Sequence, residues 1–229
     1  MLNHAQRVKR PYRSTVRAAQ AAATRLAILS AAAQLFIERG YVATSIDAIA
    51  DAAGVSRATV FTAVGGKATL LKRAYDVTLA GDDEPVPFPD RPQAQAVRAE
   101  PDPRRLLELY GRLITEMYGR LAPIYEAVRG AASADPDVRD VWETIGAERR
   151  LGSDNLITLL LARGPLRDGL DPATGADLMW VLNDPGLYHL LVNRRGWSPD
   201  RFTSWLIATM HEQLLPGHRP SGGRSRSNG

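Results

Sequence analysis

An all-α fold, with a small three-helix unit at the N-terminus and a larger helical body behind it, is what this sequence predicts. Three observations carry the prediction. Apolar residues recur at helical spacing in segment after segment. No stretch of useful length alternates with the two-residue period of a strand. The periodic segments are punctuated by glycines, by prolines, and by Ser, Thr or Asp standing where a helix should begin.

Taken in order, residues 1–14, with Arg7, Lys9, Arg10 and Arg13, read as a basic flexible arm. From Thr15 to Arg39 the chain is alanine-rich and helix-favouring, with Leu26, Leu29, Ala33 and Phe36 on one face. Gly40 stands where a helix end wants a residue free to take positive φ. Thr44 then reads as an N-cap, with Asp47 three residues on, for a short helix ending near Ala53. Gly54 breaks it, Ser56 caps a third helix to about Ala63, and Gly65-Gly66 breaks again. A fourth helix runs from Lys67 to about Leu79 and buries Leu70, Leu71, Ala74, Tyr75 and Thr78. Residues 15–79 therefore form one domain. Residues 80–103 hold acids and six prolines but few apolar side chains, so they are expected to be a linker or mobile loop.

Residues 104–216 return to helical periodicity. Leu106, Tyr110, Leu113, Met117 and Leu121 make a stripe that should end or kink at Pro123, with a shorter helix from Ile124 to Ala132. Asp135-Pro136 opens a long helix to Ala162. Asp171-Pro172 opens another to about Asn193, kinked at Pro185, and Ser198-Pro199 opens a last one to about Leu215. Residues 217–229 are a Gly/Ser/Arg tail expected to be disordered.

Composition narrows the function. The net charge of +4 hides an asymmetry: residues 1–80 carry 11 Lys/Arg against 4 Asp/Glu, whereas residues 81–216 carry 15 against 21. An anionic partner is expected for the first third alone, either nucleic acid or an anionic membrane surface. No apolar run reads as long enough to span a bilayer and no secretory h-region follows Met1, so no membrane role and a cytoplasmic location are expected. The absence of cysteine excludes disulfides, thiolate metal sites and cysteine nucleophiles. His4, His189, His211 and His218 share no metal-ligand spacing, and Gly65-Gly66-Lys67 lacks the first glycine and the Ser/Thr of a phosphate loop. No serine lies in a nucleophile-elbow context; neither an enzyme, a metal site nor a cofactor is expected.

The breaks at Gly40–Ala43 and Gly54–Val55 describe a helix-turn-helix. Ala53-Gly54-Val55 makes the tight turn, and Ser56 points the positive end of the third helix outward. In such domains that end enters the major groove of double-stranded DNA, where Arg57 can offer two donors to guanine and Thr59 a hydroxyl or methyl. Backbone amides near Thr44 and Ser45, and Lys67 at the next helix start, suit phosphates.

Residues 20–75 resemble the DNA-binding domain of the TetR/AcrR family of bacterial regulators. The matching residues are Arg25 to Phe36, Gly40-Tyr41, Thr44-Ser45-Ile46, Ile49-Ala50, Ala53-Gly54-Val55-Ser56, Thr59-Val60-Phe61 and Lys67 to Leu71. The resemblance implies that Arg57, Ala58, Thr59, Phe61 and Thr62 face DNA, with Thr44, Ser45 and Lys67 on phosphates. Two departures stand out. Phe61 replaces a usual tyrosine whose hydroxyl contacts phosphate, and Ala63-Val64 replace bulkier residues. The resemblance also implies a C-terminal ligand-binding domain and a homodimer built on the last two long helices.

Tyr110, Met117, Tyr118, Tyr125, Trp142, Trp180, Asn183 and Tyr188 form the candidate effector pocket, suited to a small hydrophobic or aromatic ligand, although aromatics at this spacing also serve as ordinary core. The expected function is a dimeric repressor released from a palindromic operator by an effector. The alternative is a DNA-binding regulator whose C-terminal domain serves only dimerisation or protein contact.

Overall fold

The computed structural model describes residues 9–82, 84 and 86–217, with side chains from residue 16 onward; most of the predicted arm and tail lies outside the described residues. The described residues are helical with no strand. The helices are α1 (Lys9–Ala43), α2 (Ile46–Ala53), α3 (Arg57–Ala63), α4 (Lys67–Ala80), α5 (Pro92–Ala99), α6 (Pro103–Ala131), α7 (Pro136–Leu161), α8 (Pro172–Leu182), α9 (Pro185–Tyr188) and α10 (Pro199–Leu214). The chain divides into two compact units: Met1–Phe88 with Glu116–Gly146, and Pro89–Thr115 with Ala147–Gly229.

In the first unit α1 packs against α2, α3 and α4. Ile28, Leu29, Ala32, Leu35 and Phe36 of α1 are buried, as are Ile49 and Ala50 of α2, Val60 of α3, and Leu70, Leu71, Ala74 and Tyr75 of α4. The buried face of α1 is rotated from the predicted one: Leu26 is exposed, while Ile28 and Ala32 are inside. Backbone helix already covers Lys9 to Ser14, part of the segment expected to be an arm. By length and composition Val16–Ala43 is also apolar enough to cross a membrane, which corrects the expectation that no such segment exists. Alanine supplies much of that apolar character, and the larger side chains on one face pack into the domain core.

Three further differences have local causes. The 80–103 segment contains a 3-10 turn, Phe88–Asp90, and α5. Pro92 presets the first turn of α5, Val97 is buried, and the Arg163 guanidinium donates to the carbonyls of Arg98 and Glu100 at its C-terminal end. Pro123 lies inside α6, which runs uninterrupted to Ala131. Burial of Leu121, Ala122, Ile124 and Tyr125 around it outweighs the roughly 3 kcal/mol an interior proline costs. The helix predicted from Pro172 to Asn193 is broken rather than kinked: α8 stops at Leu182, α9 is a single turn, and a π-helical turn spans His189–Arg194.

In the second unit α10 packs on α8 and on the π-helical turn. Gly111 of α6 lets α10 approach closely, because a Cβ there would lie 2.6 Å from Ile207 Cγ1.

Candidate nucleic-acid interface and effector region

The helix-turn-helix is assembled from short-range hydrogen bonds. Ser45 caps α2, its Oγ accepting from the Ala48 N–H at 3.1 Å. Thr44, predicted for that role, is instead buried: its hydroxyl is 2.8 Å from the Gly40 carbonyl and 3.1 Å from that of Leu35. Gly40 takes φ 77°, and the backbone keeps turning to Ala43 before α2 starts, which moves the cap one residue on. With its side chain turned inward, Thr44 anchors the α1–α2 connection and does not present its hydroxyl to a phosphate. Gly54 adopts the left-handed conformation, φ 68° and ψ 32°, and its N–H returns to Ala50 and Asp51. That conformation is costly for any residue with a Cβ.

Ser56 caps α3: its Oγ accepts from the Thr59 N–H at 3.1 Å and pairs with the Thr59 hydroxyl at 2.8 Å. Val60 pins the inner face of α3, whereas Arg57, Ala58, Phe61 and Thr62 are exposed and Thr59 is half-buried. The Thr62 hydroxyl donates to the Ala58 carbonyl. The Arg57 guanidinium lies 2.6 Å from Asp47 Oδ2 and 5.5 Å from the centroid of the Phe61 ring. Sequence reasoning used Asp47 only as a capping residue; nothing in the spacing flags a pair ten residues apart across a turn.

Lys67, at the start of α4, sits with Nζ 4.2 Å from the Tyr41 ring centroid and 3.4 Å from the Val42 carbonyl. Partial burial pulls its pKa below the usual lysine value. Tyr41 stacks on Phe36 and its hydroxyl donates to Asp135; burial, then the Asp135 charge, raises its pKa. Asp135 in turn caps α7 through the N–H groups of Asp137 and Val138.

The predicted pocket residues fall in both units. In the first, Met117, Tyr118 and Tyr125 are buried, and Tyr125 lies 5.0 Å from Trp142. In the second, Tyr188 packs edge-on against Phe202, and Trp180 is exposed with Arg149 over its ring. Burial raises the pKa of Tyr110, with Arg149 opposing it, and burial also raises that of Tyr188. Asn183 is buried, and Arg149 meets the carbonyls at the helix break beside it. Its guanidinium donates to the carbonyls of Trp180 (2.8 Å) and Asn183 (3.0 and 3.1 Å) and pairs with Asp184 at 3.1 Å. A separate open cleft in the second unit, about 320 Å³, is lined by Pro103, Arg104, Arg163 and Leu215 among others, and by none of the predicted pocket residues.

A tight helix-turn-helix with its second helix exposed, on an all-α chain, defines a DNA-binding transcriptional regulator. Residues 28–74 match the model of the bacterial regulatory proteins of the tetR family. A Bacillus subtilis (strain 168) protein, the uncharacterized HTH-type transcriptional regulator YdeS, is 29% identical over 170 residues, 74% of this chain and 79% of its own length. The structure of NalD, the secondary repressor of the MexAB-OprM multidrug efflux pump in Pseudomonas aeruginosa, superposes with TM-score 0.65 at 26% identity, over 87% of this chain and 97% of NalD. FadR from Bacillus subtilis, solved with stearoyl-CoA, shares the fold at 16% identity, TM-score 0.63, over 80% of this chain and 96% of FadR. Residues 28–74 are thus similar to the DNA-binding domain of the tetR-family regulators, and the chain as a whole is similar to transcriptional regulators of that type.

Proposed function

We propose that this regulator is a cytoplasmic homodimeric repressor that reads a palindromic operator with α3 and leaves it when a small hydrophobic effector binds the helical body. The observation that carries the reading is the α2–Gly54–Ser56–α3 turn. It buries Val60 and exposes Arg57, Ala58, Phe61 and Thr62, with Thr59 between. Arg57 and Thr59 read base edges, Ser56 holds the start of α3, and Ser45 and Lys67 meet phosphates. Thr44 supports the turn from inside.

Dimerisation draws support from Trp180, Val181 and Leu190, large apolar side chains exposed on α8 and on the π-helical turn. Two copies would set their α3 helices about one DNA turn apart, roughly 34–36 Å. The effector reading draws on FadR, solved with stearoyl-CoA, and the repressor reading on NalD. One observation favours a second reading, in which the C-terminal region serves only dimerisation. Tyr118, Tyr125 and Asn183 are buried, and Tyr125 and Asn183 have protein partners.

The experiment is selection of bound sequences from a random duplex pool, repeated with Arg57→Ala. The wild type should return a two-fold symmetric site. The variant should lose about 1–3 kcal/mol on that site and relax at one base pair per half-site. An unstructured selection, or a variant with unchanged preference, refutes the reading. Displacement from the selected duplex by acyl-CoA or aromatic compounds separates the effector reading from the dimerisation one.

A further inference from the structure

We infer that Asp47 is a specificity-determining positioning residue for base reading, acting through Arg57; this rests on the reading of Arg57 as a base contact. The guanidinium of Arg57 is held from two sides by different helices. Asp47, in the first turn of α2, takes Nη1 at 2.6 Å, and Phe61, one turn along α3, lies 5.5 Å away. A carboxylate engaging Nη1 uses part of a donor set of five. The Nη2–Nε edge remains available for the two parallel bonds that guanine O6 and N7 accept. An unheld exposed arginine samples many rotamers and must be ordered when it binds. Asp47 does part of that ordering beforehand.

Two further points support the assignment. The pair is more than half exposed on both sides, 56% for Arg57 and 60% for Asp47, and exposed pairs contribute little to fold stability. A structural role therefore does not explain it. Asp47 also places a negative charge beside a surface that must approach phosphates, which lowers affinity for every duplex. A residue that weakens general attraction while ordering the base reader trades affinity for discrimination. Phe61 fits the same arrangement, since its ring offers the guanidinium a flat face.

The test uses the full-length protein, the selected duplex, that duplex substituted at each base pair, and random duplex at constant salt. Asp47→Ala should reduce discrimination about 5-fold at the base pair that Arg57→Ala relaxes, while binding random duplex as tightly as wild type or tighter. Asp47→Asn keeps an acceptor for Nη1 and should fall between. The double variant should discriminate no worse than Arg57→Ala alone. If Arg57→Ala relaxes one base pair and Asp47→Ala leaves it as sharp as in wild type, the inference is overturned and Asp47 is only a charge that repels DNA. If Arg57→Ala relaxes nothing, the reading of Arg57 itself fails. Thermal unfolding of each variant, expected to match wild type closely, guards against loss of α2.

Discussion

The helix-turn-helix and the α8–α9 break are both places where a helix stops at polar residues, and they are held in opposite ways. In the helix-turn-helix the helix ends are closed by near neighbours: the Ala48 N–H by the Ser45 hydroxyl, the Thr59 N–H by the Ser56 hydroxyl, and the Gly54 N–H by the carbonyls of Ala50 and Asp51. At α8–α9 only part of the closure is local, Asp184 accepting from the Gly186 N–H at 2.6 Å. The carbonyls of Trp180 and Asn183 are met by Arg149, 31 and 34 residues away on α7. A locally closed turn is a rigid module that carries its geometry with it. A turn closed from a distance depends on two elements staying together, and it is the kind of joint where a change in packing is felt.

The largest effect that would break this comparison is at Arg149. Replacing it with methionine keeps apolar volume but removes the guanidinium that meets two carbonyls and the Asp184 carboxylate. The expected loss is about 3 kcal/mol, read from denaturant unfolding. Arg149→Lys should recover only part, because an ammonium cannot span both carbonyls and the carboxylate with one planar fork. A loss under about 1 kcal/mol for methionine would mean that the α8–α9 break closes without outside help.

A smaller effect is expected in the locally closed region. Ser56→Ala removes one cap and should cost about 1 kcal/mol, while Ser56→Gly should cost only a few tenths. Hydrogen exchange should report the change in the amides of α3 and leave those of α8 as in wild type. Protection lost equally across both regions would show that α3 is not an independent module.

The same contrast decides what was legible in the sequence. The turn Ala53-Gly54-Val55-Ser56 was readable because each of its requirements is met within a few residues. The α2 cap falls one residue beyond Thr44 for a related reason. Gly40 can end a helix or pass through positive φ and let the chain turn on, and only the packing of Thr44 against Leu35 selects the second course. The C-terminal end of α5 is tied to Arg163, 63 residues beyond Glu100, so composition alone shows a linker. The break at Asn183-Asp184 was visible as an anomaly, but its partner Arg149 was not. Asp47 and Arg57 sat in view as separate features, a capping residue and a base reader, since no periodicity joins the first turn of one helix to the first turn of the next.

The smallest effect sharpens the DNA-facing end of the local module. Phe61 is 45% exposed, so adding a hydroxyl by Phe61→Tyr buries no polar atom and should leave unfolding stability unchanged. The ring, and with it the surface beneath the Arg57 guanidinium, is retained. If Phe61 faces a phosphate as the resemblance implies, the new hydroxyl supplies one hydrogen bond worth about 0.5–1.5 kcal/mol. A phosphate contact carries no sequence information, so binding should tighten by the same factor on the selected duplex and on each of its single-base variants. Titration of that duplex set at fixed salt reads both quantities at once. A tyrosine that changes the preferred base would place position 61 on a base edge; one that changes nothing would place it away from DNA, and would shorten the reading surface of α3 to its first turn.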